Sequence, residues 1–364
     1  MLLLGKVCVD KEMDKVKLGD VSERGSSNLA QKDIEGLIGN YPIYGAAGYI
    51  GTVDFYHQKK DYIAVVKDGA GIGRTMFLPA KSSVLGTLQY IIPNERVVPK
   101  YLYYAVKHMN LAKYCTGATI PHIYYKDYKN EIFGLPDIPK QREVVFILEK
   151  TEKIMEGQKQ ELLDLENLIK SRFVEMFGDP VSNPFRWDKV LMNECLENID
   201  NGKSFVCDTV ARVGEHPAIL KLSAVTYGIY KPEENKRIIS ESDFVENAEV
   251  REGDLLFTRK NTPELVGMAA YVASTPPKLM MPDLIFRLNT KNNCNKVFLW
   301  QLINHDLFRK QIQSIASGSA KSMSNISKER LGKFSIYLPP IELQNQFAAF
   351  VHQIDKLKFS KLFW

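Results

Sequence analysis

The chain has 364 residues, 45% of them hydrophobic and 25% charged, an ordinary globular balance that excludes disorder as its dominant state. At about 150 residues per domain, this length predicts about two domains. The net charge of +5 divides into +4 for residues 1–140, −3 for 141–179, +3 for 180–340 and +1 for 341–364, so two mildly basic blocks flank an acidic connector. No apolar run approaches the roughly 18–20 residues that cross a bilayer. Met1-Leu2-Leu3-Leu4-Gly5 is too short for a signal-peptide core. The five cysteines (Cys8, Cys115, Cys195, Cys207, Cys294) are scattered and never spaced as CxxC, which argues against a disulfide framework or structural zinc. A cytoplasmic protein with no membrane partner is expected.

In the first block, Tyr41, Tyr44 and Tyr49 surround Pro42-Ile43 and Gly45-Ala46-Ala47-Gly48 as an aromatic, glycine-rich hairpin whose tyrosines core packing explains. Tyr62-Ile63-Ala64-Val65-Val66 reads as a buried strand that leads into Lys67-Asp68-Gly69-Ala70-Gly71-Ile72-Gly73-Arg74. That loop lacks the following helix and the Lys-Ser/Thr of a phosphate cradle, so it is not read as a nucleotide site. It does offer Lys67 and Arg74 to a polyanion. A second loop, from Thr116 to Lys126, offers Thr119, His122, Tyr124 and Lys126, with Ile123 as its anchor in the core. Small hydroxylated and basic side chains of this kind suit phosphate hydrogen bonds and base edges.

A long helix follows, bracketed by Pro139 and by Gly178-Asp179-Pro180. Leu148, Met155, Leu162, Ile169 and Met176 recur every seven residues along it, a heptad seam for packing against another helix. About 38 residues at ~1.5 Å each make a rod of roughly 57 Å. Its Glu-rich outer face predicts a solvated rod between two bodies.

The second block repeats the first. Leu255-Leu256-Phe257 reads as a strand entered by the turn Glu252-Gly253-Asp254, and it leads into Arg259, Lys260 and Asn261. A loop from Ser317 to Lys328 carries Ser319, Lys321, Ser322, Asn325 and Lys328. At a constant offset of 203, Leu135-Pro136 through Gln141 pairs with Leu338-Pro339 through Gln344, Ile123 with Ile326, and His122 with Asn325. Lys15-Val16 and Lys189-Val190 open the two blocks alike. A repeat of this length is a tandem duplication rather than a solenoid. The two helices are expected to pair antiparallel. The distal one, with Phe347, Phe350 and Ile354 on its apolar stripe, stops at Trp364, about 16 residues short of its counterpart, so a truncation, a frameshifted tail or a seam finished by another chain is expected.

The six histidines show no HxH or HxxxH spacing, and there is no G-x-S-x-G elbow. By sequence the chain is a binder without a catalytic residue or a metal site.

Tyr41 through Gly51, Thr116 through Ile123, the two Leu-Pro…Gln turns and Glu175-Met176-Phe177-Gly178-Asp179-Pro180 carry a family likeness. In order and duplicated, they make nearly the whole chain similar to the specificity subunits of type I restriction-modification systems. The resemblance implies an α+β fold of two tandem target recognition domains of mixed strands and helices, 1–137 and 180–340. Long helices, 138–179 and 341–364, separate them and pair as an antiparallel coiled coil. It implies that each domain reads one half of an interrupted double-stranded DNA target. The helices would then set the spacing and dock the methyltransferase (modification) subunits, which an ATP-dependent restriction (motor-nuclease) subunit joins. S-adenosylmethionine, ATP and magnesium are expected only on those partners. The short distal helix departs from the family pattern. It leaves a non-catalytic coiled-coil scaffold, or an inactive truncated specificity subunit, as the alternative reading.

Overall fold

The computed structural model describes residues 13–117, 121–318 and 323–362. The chain divides into two units, Met1–Glu156 and Gly157–Trp364.

In the first unit, the run Tyr62–Val66 is buried at every position because both of its faces are covered. It lies inside a four-stranded antiparallel sheet in the order Ser22–Ser26, Leu88–Pro93, Tyr62–Val66, Thr75–Leu78. Alternate side chains of a strand point to opposite faces. Ile63 and Val65 join Leu102 and Val106 of the helix Pro99–His108. Tyr62, Ala64 and Val66 pack instead with Ile43, Val53 and Val84 of a second sheet. That sheet is the expected hairpin, Tyr41–Gly45 antiparallel to Gly48–Val53, with Ser83–Val84 added in parallel.

The second unit repeats this plan. Its four-stranded sheet runs Leu196–Asn201, Ile285–Thr290, Leu255–Thr258, Ala269–Tyr271. Its smaller sheet pairs Ala218–Leu220 antiparallel with Asn235–Arg237 and parallel with Leu279–Met280. Leu255 and Phe257 face Phe298 and Leu302 of the helix Lys296–Asn304, while Leu256 faces the smaller sheet. Each unit is clasped where its chain enters and leaves. Asp14–Lys17 pairs with Ile132–Leu135, and Asp188–Leu191 pairs with Ser335–Leu338. Lys15-Val16 and Lys189-Val190 fall at matching places in the two clasps.

The central helix spans Ile138–Phe177, 40 residues, and the distal helix spans Ile341–Leu362. Gly178 ends the central helix at φ 76°, and its N–H donates to the Val174 carbonyl at 2.8 Å. The first part of this helix is fastened to its own unit by polar contacts, with Lys100–Glu149 at 2.6 Å and Lys107–Glu152 at 3.1 Å. In the second unit Phe173 and Phe177 meet Phe347 of the distal helix at 5.5 and 5.4 Å, and Arg172 lies 5.9 Å over Phe350. Moving back along one helix moves forward along the other, so the two run antiparallel there.

The seam differs from the heptad reading. Ile169, Phe347 and Ile354 are buried, Met176 and Phe350 pack at the core's margin, and Leu148 and Leu162 are half-buried. Met155, however, is 64% exposed. A straight helix drifts by about 20° per heptad from a seven-residue stripe. The side chains that enter the second core step by four instead, through Leu165, Ile169, Phe173 and Phe177.

Candidate nucleic-acid interface

The loop after Tyr62–Val66 returns directly into the antiparallel strand Thr75–Leu78, so no helix follows its glycines. Val66 N–H donates to the Arg74 carbonyl at 2.9 Å and Gly73 N–H to the Val66 carbonyl at 2.8 Å, which closes the turn. Gly73 sits at φ 79°, and a Cβ there would stand 2.6 Å from the Ala112 nitrogen, so both the turn and its close approach require glycine.

The loop ending at Lys126 is stitched onto this turn. Thr116 and His122 exchange both backbone hydrogen bonds, at 2.9 and 2.8 Å, and Gly69 N–H donates to the Pro121 carbonyl at 3.0 Å. Ile123, 2% exposed, anchors the loop, and its N–H donates to the Lys67 carbonyl at 3.0 Å. The stitching brings Lys67 and His122 to one carboxylate and continues from His122 through Tyr124 to Lys126. Asp68 Oδ1 lies 2.7 Å from His122 Nδ1, and Asp68 Oδ2 lies 3.5 Å from Lys67 Nζ. The His122 ring stacks on Tyr124 at 6.3 Å, and Lys126 Nζ sits 5.4 Å over the Tyr124 ring, which is half exposed. Arg74 stands apart, donating to the Ala46 carbonyl of the hairpin at 3.0 Å.

The second unit builds the same device with other side chains. Ser317 and Asn325 exchange two backbone hydrogen bonds of 2.8 Å each, and fully buried Ile326 donates to the Arg259 carbonyl at 2.8 Å. Lys260 pairs across to Asn325 and Asn261 to Ser324. Arg259 Nε and Nη2 both donate to Asn325 Oδ1, at 3.4 and 3.3 Å, and the guanidinium lies 4.9 Å over the Phe286 ring. Lys328 approaches that ring to 5.8 Å, and Lys260 lies 3.8 Å from Asp283. Arg259 and Lys328 thus share one aromatic ring, while Lys260 is the cation beside the carboxylate.

Asn261 departs from its expected place among the exposed donors. It is 7% exposed, its amide nitrogen donates to Thr226 at 3.1 Å, and its carbonyl accepts the Thr262 N–H at 2.9 Å, so it holds the loop up from inside. Thr119, Ser319, Lys321 and Ser322 lie outside the described residues. Sequence reasoning passed over Asp68 and Phe286. Asp68 follows Lys67 directly and is legible in the loop as its one acidic residue, whereas nothing local marks Phe286 as the floor beneath Arg259. Among the described residues no cluster of His, Cys, Asp and Glu has metal-ligand geometry, and no helix is long and apolar enough to cross a membrane.

The geometry meets matching relatives. A family model described as the type I restriction modification DNA specificity domain matches residues 10–165 and again 196–361. The specificity subunit of the type I restriction enzyme EcoEI from Escherichia coli is 27% identical over 210 residues, which cover 56% of this chain and 35% of that subunit. The match thus spans about a third of the relative's length. The S subunit of a type I restriction-modification system from M. genitalium superposes with a TM-score of 0.63 at 14% identity, covering 98% of this chain and 93% of its own. A structure described as the basis of complex assembly and conformational transition of the type I R-M system superposes at 0.50 with 16% identity, covering 97% and 94%. With its domain matched twice over most of its length, this chain belongs to the type I restriction modification DNA specificity family.

Proposed function

We propose that the chain is the sequence-reading subunit of a type I restriction-modification complex, each unit contacting one half of an interrupted double-stranded DNA target. The observation that carries this is the paired-loop device: two loops locked by backbone hydrogen bonds, cationic at the surface, built twice on one topology with different side chains. Identical scaffolds with divergent loops are what two half-sites of different sequence call for. Lys67, Lys126, Lys260 and Lys328 supply phosphate contacts, which give affinity, and loop polar groups supply base contacts, which give specificity.

The helices set the distance between readers and dock methyltransferase subunits. A 40-residue helix is about 60 Å long, more than the roughly 34–36 Å of one DNA turn. Ile154, Met155, Leu163 and Leu168 are 61%, 64%, 46% and 47% exposed, apolar side chains on several faces of the central helix, which favours protein partners there. Adenine methylation and ATP-dependent cleavage, with S-adenosylmethionine, ATP and magnesium, belong to the modification and restriction subunits.

The test is to co-purify the chain with its modification subunit and map methylated adenines in DNA by single-molecule sequencing. Methylation at one interrupted motif is the expected result. Absence of both a complex and sequence-selective DNA binding would overturn the reading in favour of a coiled-coil scaffold.

A further inference from the structure

We propose that Arg259 reads a guanine in the half-site of the second unit. The inference rests on the DNA-reading role above and adds the residue and the base.

A side chain that reads a base edge must hold its donors in a fixed plane before the DNA arrives, because an unrestrained arginine loses its rotamer freedom on binding. Arg259 is held in three ways. Its backbone carbonyl accepts the N–H of buried Ile326 at 2.8 Å, which fixes the Cα. Its guanidinium lies 4.9 Å over Phe286, which fixes the plane. Its Nε and Nη2 share Asn325 Oδ1, at 3.4 and 3.3 Å, which fixes the rotation within that plane. These bonds occupy the inner edge of the fork and leave the outward N–H groups of the two terminal nitrogens. Among the described residues no carboxylate pairs with them.

Two parallel donors with no acceptor beside them match O6 and N7 of guanine, the one base that presents two acceptors side by side in the major groove. Adenine and cytosine put an amino group there, which an arginine cannot accept from. The first unit makes the contrast. Lys67 occupies the place of Arg259, its carbonyl likewise accepting from the anchoring isoleucine, yet Asp68 lies 3.5 Å from its ammonium. A lysine so paired is a point charge without a fork. Guanine selection is therefore assigned to the second unit alone at this position.

The experiment uses the chain with its modification subunits, once methylation mapping has given the motif. Duplexes carrying the motif are made with each guanine, in turn, replaced by 7-deazaguanine, which lacks the N7 acceptor. Wild type should lose about tenfold in affinity at one guanine, the lower end of what a bidentate pair is worth. Arg259→Lys and Arg259→Gln, each checked for an unchanged melting temperature, should bind more weakly and be indifferent to that substitution. A wild-type complex indifferent at every guanine overturns the assignment. So does a variant as sensitive as wild type at the same guanine, since Arg259 would then be only a phosphate contact. In both cases the motif survives, and with it the DNA-reading role. No motif at all would instead remove the role itself.

Discussion

The side-chain carbonyl of Gln141 accepts the backbone N–H of Val98 at 2.7 Å. Its amide nitrogen donates to the carbonyls of Arg96 at 3.1 Å and Pro136 at 2.8 Å. Gln344 repeats all three bonds, accepting from Asn295 at 2.8 Å and donating to Asn293 at 3.2 Å and Pro339 at 2.7 Å. Both glutamines are fully buried. Val98 and Asn295 stand just before the helices Pro99–His108 and Lys296–Asn304, so each glutamine ties the first turn of a long helix to the start of a short one.

The first prediction follows from that geometry. Gln141→Leu keeps volume but leaves one donor and two acceptors without partners, at about 1–3 kcal/mol for each buried group. A loss of about 3 kcal/mol is expected, read as faster amide hydrogen exchange within residues 13–156. Gln344→Leu should do the same within 157–362. Exchange patterns equal to wild type in both variants would show that the amides are not structural ties.

These glutamines were legible in the sequence because a buried amide with a proline-bounded turn before it leaves a short signature, and duplication printed that signature twice. The buried strand Tyr62–Val66 and the central helix were legible for a similar reason, since burial and periodicity act over neighbouring residues. Long-range relations were not. Asp68 meets His122 across 54 positions and Arg259 meets Asn325 across 66, and no local pattern encodes such pairs. The hairpin Tyr41–Val53 was legible, but the shortest strands of the smaller sheets escaped, because strands of two residues such as Ser83–Val84 and Leu279–Met280 carry no alternation to read.

Duplication supplies a second prediction through the thiols of Cys195 and Cys294, which touch inside the second core. In the first unit the same place holds Val21 and Val97. Asn94 N–H donates to Val21 O at 3.0 Å and Val97 N–H to Asn94 O at 3.4 Å. Lys291 to Cys195 at 2.8 Å and Cys294 to Lys291 at 3.1 Å are the counterparts. Valine adds roughly a methylene at each place, and the first unit holds that pair, so the double substitution Cys195→Val with Cys294→Val should cost no more than about 1–3 kcal/mol, the usual range for methylenes added to a packed core. Denaturant unfolding that shows a loss of several kcal/mol would mean the two cores are not equivalent at this point.

His305 gives a pH dependence. Burial holds its imidazole below the usual histidine range, against the opposing pull of Asp306 and Asp179, and its buried Nδ1 has no hydrogen-bond partner among the described residues. Below the unfolded value of about 6.5 the denatured chain takes up a proton that the native ring resists, so this contribution to stability is present above that pH and declines below it. Asp254 and Asp355, pushed up by burial, act in the opposite sense, so the comparison must isolate the ring. The gap in unfolding free energy between wild type and His305→Gln should narrow as pH falls from 7.5 to 5. A gap that is constant with pH would exclude the imidazole as its source.

The central helix allows a prediction that separates what packs from what merely repeats. Phe173 is 2% exposed and touches Phe177, Phe298, His305 and Phe347, with ring centres 5.0, 5.8, 5.3 and 5.5 Å away. Phe173→Ala removes a whole ring from that cluster, and a cost of about 3–5 kcal/mol is expected from lost burial and the cavity left behind. Met155 belongs to the seven-residue stripe but is 64% exposed, so Met155→Lys should change stability by no more than about 0.5 kcal/mol. Denaturant unfolding of the two variants tests both. Co-purification then divides them the other way: if Met155 faces a docked methyltransferase subunit, its lysine variant keeps the fold and loses the partner. A Met155→Lys chain that unfolds early would place this methionine in a helix seam after all.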